Sequence, residues 1–150
     1  MTDRLFYRIV VPTDFSECAE AAWALAQRVA TAAGGELVLV HVLVEQPLFG
    51  ETVFSMDRVQ SVYDAARAFG QKTLDAWTEQ ARGKGLTARA ALRTGVPYRE
   101  ILDLVADERA DLVVIGTHGR GGIDRALLGS VADRVVRLAP CPVLTVRAPD

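Results

Sequence analysis

At 150 residues, half of them hydrophobic and 24% charged, the chain has the size and composition of one globular domain spanning 1–150, which excludes a disordered tail. A formal net charge of −2 without a broad basic stripe gives no ground for nucleic-acid binding. No apolar run approaches the ~20 residues of a membrane helix, and the apolar stretch of MTDRLFYRIVVP is too short for a secretory signal, so a cytoplasmic protein off the membrane is expected.

The pattern then alternates. Tyr7–Pro12 (YRIVVP) predicts a strand, and SECAEAAWALAQRVATAAGG a helix with Ala19, Trp23, Ala26, Ala30 and Ala33 on one face and Gly34-Gly35 as its stop. Glu36–Val44 (ELVLVHVLV) is unbroken and β-branched, as a strand covered on both faces should be. EQPLFGETVFSM has Pro47, Gly50 and no period, and reads as a loop. A long helix follows with Val59, Tyr63, Ala66, Phe69, Thr73 and Trp77 on one side, ending near Gly83 and Gly85. In LTARAALR, Leu86, Ala88, Ala90 and Leu92 alternate with polar or smaller residues, the mark of a half-exposed edge strand.

Gly95 and Pro97 introduce a third helix that buries Ile101, Leu104 and Val105. Asp111–Gly116 (DLVVIG) is a fourth, buried strand. SVADRVVRLA offers Val131, Val135 and Leu138 as a helical stripe, and PCPVLTVR closes the chain as a short fifth strand. Strands alternating with helices predict an α/β fold: an open parallel five-stranded sheet with right-handed crossovers and helices on both faces. The third and fifth strands read as edges, so the predicted order is 3-2-1-4-5. The winding then reverses between the first and fourth strands, where open α/β sheets bind ligands. That crevice receives Pro12, Thr13 and Asp14 from PTDFS and Gly116, Thr117, His118 and Gly119 from GTHG.

The segment GTHGRGGIDRALLGS suits an anion. Unpaired N–H groups and the dipole's positive end meet at a helix start, and glycine admits oxygen close to the backbone or supplies a positive φ. Ser130 would cap the last helix or offer its hydroxyl to phosphate. The same glycines and serine also occur in loops that bind nothing, and both readings stand on spacing alone. The sequence has no G-x-x-x-x-G-K-[ST], and GRGGID lacks the last glycine of a dinucleotide fingerprint. His41 reads as an interior histidine and Trp23 and Trp77 as core. Cys18 and Cys141 read as two packed, reduced thiols without metal-type spacing to His41 or His118, so no metal site is assigned. DFSE sets Asp14 three residues before Glu17, the spacing of a capping box.

Gly116-2x-Gly119-9x-Gly129-Ser130, together with PTDFSE, Val40-His41-Val42 and APCPVLTVR, resembles the universal stress protein family over essentially the whole chain. The resemblance implies that family's α/β fold, ATP in the crevice with Mg²⁺ or Mn²⁺ as its companion ion (AMP or ADP being related candidates), and a homodimer paired through Val143 to Arg147. It further implies Asp14 beside the ribose and adenine, main-chain groups of Val42 at the adenine edge, and Gly116 near the ribose. Gly119, Gly129, Ser130 and Val131 would hold phosphate. Ala132 departs from the Ser or Thr common at its position, and Arg120 and His118 are candidates to compensate. The implied activity is nucleotide-dependent regulation in stress response. The alternatives are a slow ATP hydrolase, for which Asp124 is the nearest acid to the loop and no catalytic residue is assigned, and a dimeric scaffold without nucleotide.

Overall fold

The computed structural model describes residues 4–44, 56–119 and 127–149. Its elements run β1 (Arg8–Pro12), α1 (Glu17–Ala33), β2 (Glu36–Val44), α2 (Met56–Gly83), β3 (Thr87–Gly95), α3 (Pro97–Asp107), β4 (Leu112–Gly116), α4 (Ser130–Leu138) and β5 (Val143–Val146). They form a five-stranded sheet in the order β3-β2-β1-β4-β5 with every adjacent pair parallel, the order predicted. The loop expected over residues 45–56 lies outside the described residues except for Met56, which is the first residue of α2.

The unbroken apolar strands follow from burial on both faces, because successive side chains of a strand point to opposite sides. Ile9, Val11, Leu37, Leu39, Leu112 and Val114 join the core with Ala22, Trp23, Ala26 and Ala30 of α1 and Leu74 and Ala81 of α2. The alternate residues Val10, Val38, Val40, Val113 and Ile115 join the other core with Ile101, Leu104 and Val105 of α3 and Ala132 and Val135 of α4. Ser16 caps α1 by accepting from Ala19 N–H at 3.3 Å, and Gly34 ends it at φ 68°, a left-handed conformation that favours glycine.

Four expectations need adjusting. Tyr7 and Asp111 lie outside the strands, because Asp111 accepts the main-chain N–H groups of Tyr7 and Arg8 at 2.8 and 2.9 Å. In α2 the buried row is Gly70, Leu74, Thr78 and Ala81, offset from the predicted stripe. Ala66 and Phe69 are exposed on the flank of that row, while Trp77 packs against the core half-buried. In α4 the buried row is Ala132 and Val135, and Leu138 is 58% exposed where that row runs out beside the edge strand β5. Ser130 is not the cap of α4; Gly129 holds that position and Ser130 is the first helical residue.

Candidate functional site: a cleft at the parting of the central strands

The register explains why a cleft opens. The β1–β4 ladder holds Ile9↔Leu112 and Val10↔Val113, whereas β1–β2 continues to Pro12↔Val40 and β4–β5 to Gly116↔Val146. Beyond Val10 the two central strands separate, and Pro12 has no N–H with which to extend the ladder. A cleft of about 640 Å³ lies there, a volume typical of small-molecule sites. Of the predicted site residues, Pro12, Thr13, Asp14, Val42, Gly116, Thr117, His118, Gly119, Gly129, Ser130 and Val131 all line it. Arg120 lies outside the described residues, as does Asp124.

The β1–α1 connection is built by local side-chain bonds. Thr13 N–H donates to Val40 C=O at 2.8 Å, Thr13 Oγ1 accepts from Phe15 N–H at 3.0 Å, and Asp14 Oδ1 accepts from Ser16 N–H at 3.0 Å. Asp14 therefore shapes the turn before the helix while Ser16 does the capping, which corrects the capping-box reading. Phe15 adopts φ 64°, a conformation that strains a non-glycine residue. Its ring packs on His41 (centroids 4.6 Å), on Trp77 (5.5 Å) and on Phe69 (6.0 Å). His41 is half-buried and its Nδ1 is hydrogen-bonded to Thr13 C=O at 2.8 Å, so it is an interior histidine with a partner.

The glycines act by leaving room. Neither Gly116 nor Gly119 has a positive φ, contrary to one expectation for them; among the described glycines that conformation belongs to Gly34, Gly85 and Gly95. A Cβ on Gly116 would stand 2.8 Å from the carbonyl carbon and Cβ of Cys18, so this glycine lets α1 lie against β4. A Cβ on Gly119 would stand 2.5 Å from Asp14 Oδ2, which brings the β1 and β4 loops together across the cleft floor. Gly129 fits closely too: its N–H donates to Thr117 C=O at 2.7 Å, and a Cβ there would meet that oxygen at 3.2 Å.

Two sets of polar groups face the cleft without a partner among the described residues. A strand residue directs its N–H and C=O to the same side, and residues two apart share that side. Val40 C=O faces β1, so the main-chain groups of Val42 face the same way, past the point where β1 has turned into its loop. At α4, Gly129 C=O accepts from Asp133 N–H at 2.9 Å, and the preceding amides of Ser130, Val131 and Ala132 are first-turn groups with no carbonyl inside the helix. His118 adds a third candidate. Its Nδ1 is bonded to Thr117 Oγ1 at 3.0 Å, while its buried Nε2 has no partner among the described residues. The donors, the room and the apolar walls of Val40 and Ile115 fit a flat base joined to a phosphate chain.

Among the lining residues that sequence reasoning did not assign to the site are Phe15, His41, Phe69 and Ile101. Ile101 and Phe69 sat in helical apolar stripes, a signal that does not separate core from cleft wall, and the left-handed turn at Phe15 has no local sequence signature. Among the described lining residues Asp14 is the one carboxylate, and no described cluster of three or more His, Cys, Asp and Glu residues could hold a metal. Cys18 and Cys141 are unpaired thiols, both half-buried. No described helix is long and apolar enough to cross a membrane.

The model of the universal stress protein family matches residues 6–147. The chain is 33% identical over 147 residues to universal stress protein MJ0531 of Methanocaldococcus jannaschii, covering 98% of this chain and 85% of that protein. Its fold superposes on universal stress protein UspA from Lactobacillus plantarum with a TM-score of 0.83 at 26% identity, over 95% of this chain and 98% of that one. The fold is shared at 24% identity with a universal stress protein solved in complex with cAMP (TM-score 0.69, 97% of this chain and 99% of that one). It is shared at the same identity with the Archaeoglobus fulgidus protein in complex with dAMP (TM-score 0.63, 95% and 98%). The chain belongs to the universal stress protein family.

Proposed function

We propose that the chain is an adenine-nucleotide-binding regulatory protein of the stress response, with ATP as its ligand. The observation that carries the reading is the convergence on one cleft of the unpaired strand edge at Val42 and the free first turn of α4. Adenine lies against the Val42 main chain, the ribose beside Asp14 and Gly116, and the phosphates on the amides of Ser130 and Val131, with Ser130 Oγ as a further donor. Gly119 keeps the floor low enough for that seat. Gly129, whose own amide is spent on Thr117, contributes by clearing space. That two proteins of this fold hold cAMP and dAMP is consistent with an adenine nucleotide here.

Binding, and not turnover, is the activity this arrangement serves. In-line hydrolysis needs a positioned water and stabilisation of the charge that develops on the phosphoryl group, which Mg²⁺ or Mn²⁺ accompanying the nucleotide supplies in part. Asp14, the described carboxylate of the cleft, is already engaged by Ser16 N–H. The chain acts as a cytoplasmic homodimer paired through Val143 to Arg147, where β5 is a sheet edge and Leu144 is 37% exposed. A thermal melt tests the central claim: ATP with Mg²⁺ at a hundred times its Kd adds about 2.7 kcal/mol, or about 5–10 °C for a chain of this size. No shift at millimolar ATP, with no ATP retained on equilibrium dialysis, would refute nucleotide binding.

A further inference from the structure

Two guanidinium groups, those of Arg99 and Arg134, meet at Tyr98 between α3 and α4, the helices whose first turns line the cleft; neither arginine is itself a lining residue. Pro97 and Ile101 of α3 and Ser130 and Val131 of α4 all line the cleft. Next to Pro97, Tyr98 is clasped from two directions: the Arg134 guanidinium lies 4.6 Å from its ring centroid and that of Arg99 5.6 Å, and Arg99 Nε donates to the phenol oxygen at 2.9 Å. Arg134 is one helical turn beyond Ser130 and three residues beyond Val131, so the three share a face of α4. Helical side chains lean toward the amino end of their helix, and Arg134 thus reaches back over the turn whose amides are free. Its contact with Tyr98, the second residue of α3, fixes it against the neighbouring helix start.

Among the described residues neither Arg99 nor Arg134 has a carboxylate within ion-pair distance, whereas Arg137, on the next turn of α4, is paired with Asp133 at 3.1 Å. The hydrogen bond from Arg99, joined by the charge of Arg99 and Arg134, holds the Tyr98 phenol below its ordinary pKa. A single phosphate seated on the amides of Ser130 and Val131 leaves the pair unused about one helical turn, 5.4 Å, further along the axis. A chain of phosphates leaving the same seat extends toward them, and guanidinium groups suit phosphate oxygens through charge-assisted hydrogen bonds.

We infer that Arg134, with Arg99, reads the length of the phosphate chain, so that the cleft separates a nucleoside triphosphate from its monophosphate; this rests on the nucleotide-binding reading. The test is calorimetric titration of the full chain and of R134Q and the R99Q/R134Q double variant with ATP, ADP and AMP, all with Mg²⁺. The expected result is ATP bound at least tenfold more tightly than AMP by the unmodified chain, a tenfold ratio corresponding to about 1.4 kcal/mol. The double variant should weaken ATP about tenfold and leave AMP within twofold, closing the gap, with R134Q and ADP intermediate. Both arginines are exposed, and a melting temperature within about 2 °C of the unmodified protein checks that the variants fold. Equal losses for ATP and AMP, or an unchanged ratio, overturn the inference and leave nucleotide binding standing. Failure of the unmodified chain to bind any of the three overturns both.

Discussion

The two ends of the sheet treat polar groups in opposite ways. At the amino ends of the strands they close on one another: Asp111 accepts the N–H groups of Tyr7 and Arg8, and Arg8 pairs with Glu36 at 3.3 Å and Glu108 at 3.7 Å. Arg89 joins the same Glu108. Arg8 Nε is the buried side-chain atom left over there without a partner among the described residues. At the carboxyl ends the first-turn amides of α4, the main-chain edge of Val42 and the buried Nε2 of His118 remain unspent among the described residues. One end fastens β1 to β4; the other leaves them parted and holds its donors in place for something else. On the nucleotide-binding proposal, the ligand's partners are groups the fold positions without using.

The largest effect expected from breaking this division is at the fastened end. Asp111→Ala removes one acceptor for two main-chain N–H groups, one of them partly buried. Its neighbours Arg8, Glu36 and Glu108 form ion pairs that are only partly buried, and such pairs contribute little in comparison. We expect a loss of about 2 kcal/mol in urea unfolding, read as a lower midpoint at unchanged slope, with ATP affinity within twofold of the unmodified chain. An affinity loss as large as the stability loss would show that the two ends are not independent.

Gly119→Ala should do the reverse. A Cβ 2.5 Å from Asp14 Oδ2 must displace that carboxylate, and Gly119 is exposed with no positive φ, so the backbone itself tolerates alanine. ATP affinity should fall about tenfold, or about 1.4 kcal/mol, while stability changes by less than about 1 kcal/mol. Calorimetric titration beside a urea series separates the two quantities. Unchanged affinity would remove the Asp14–Gly119 contact from the site.

The division was partly readable before any coordinates. Runs such as Ile9–Val11 and Val113–Ile115 carry no alternation because odd and even residues enter different cores, and that property marks the central strands and hence the crevice between them. The glycines were readable as a set but not one by one. Gly116 leaves room for Cys18, which comes from the opposite end of the chain, and Gly129 fits against Thr117; neither neighbour is written in the local sequence. Phe15 shows the same limit, since its left-handed turn depends on Thr13 and Asp14 folding back on the chain and on a ring stack with His41, Trp77 and Phe69. In α2 the apolar periodicity located the helix but placed its core-facing row one residue away, because Ala66 and Phe69 serve the flank that borders the cleft and Leu74 and Ala81 the core, with Trp77 packed half-buried at its edge.

The smallest expected effect falls on Ser130 and discriminates most finely between fold and site. With Gly129 at the cap and no side-chain cap bond, the Ser130 hydroxyl does nothing described for α4, and alanine is the better helix former. Ser130→Ala should leave unfolding free energy within about 0.5 kcal/mol while weakening ATP about threefold, the cost of one modest hydrogen bond to the ligand. A stability loss near 1 kcal/mol with unchanged affinity would be the signature of a lost cap. In that case the hydroxyl belongs to the helix, and the phosphate seat consists of main-chain amides alone.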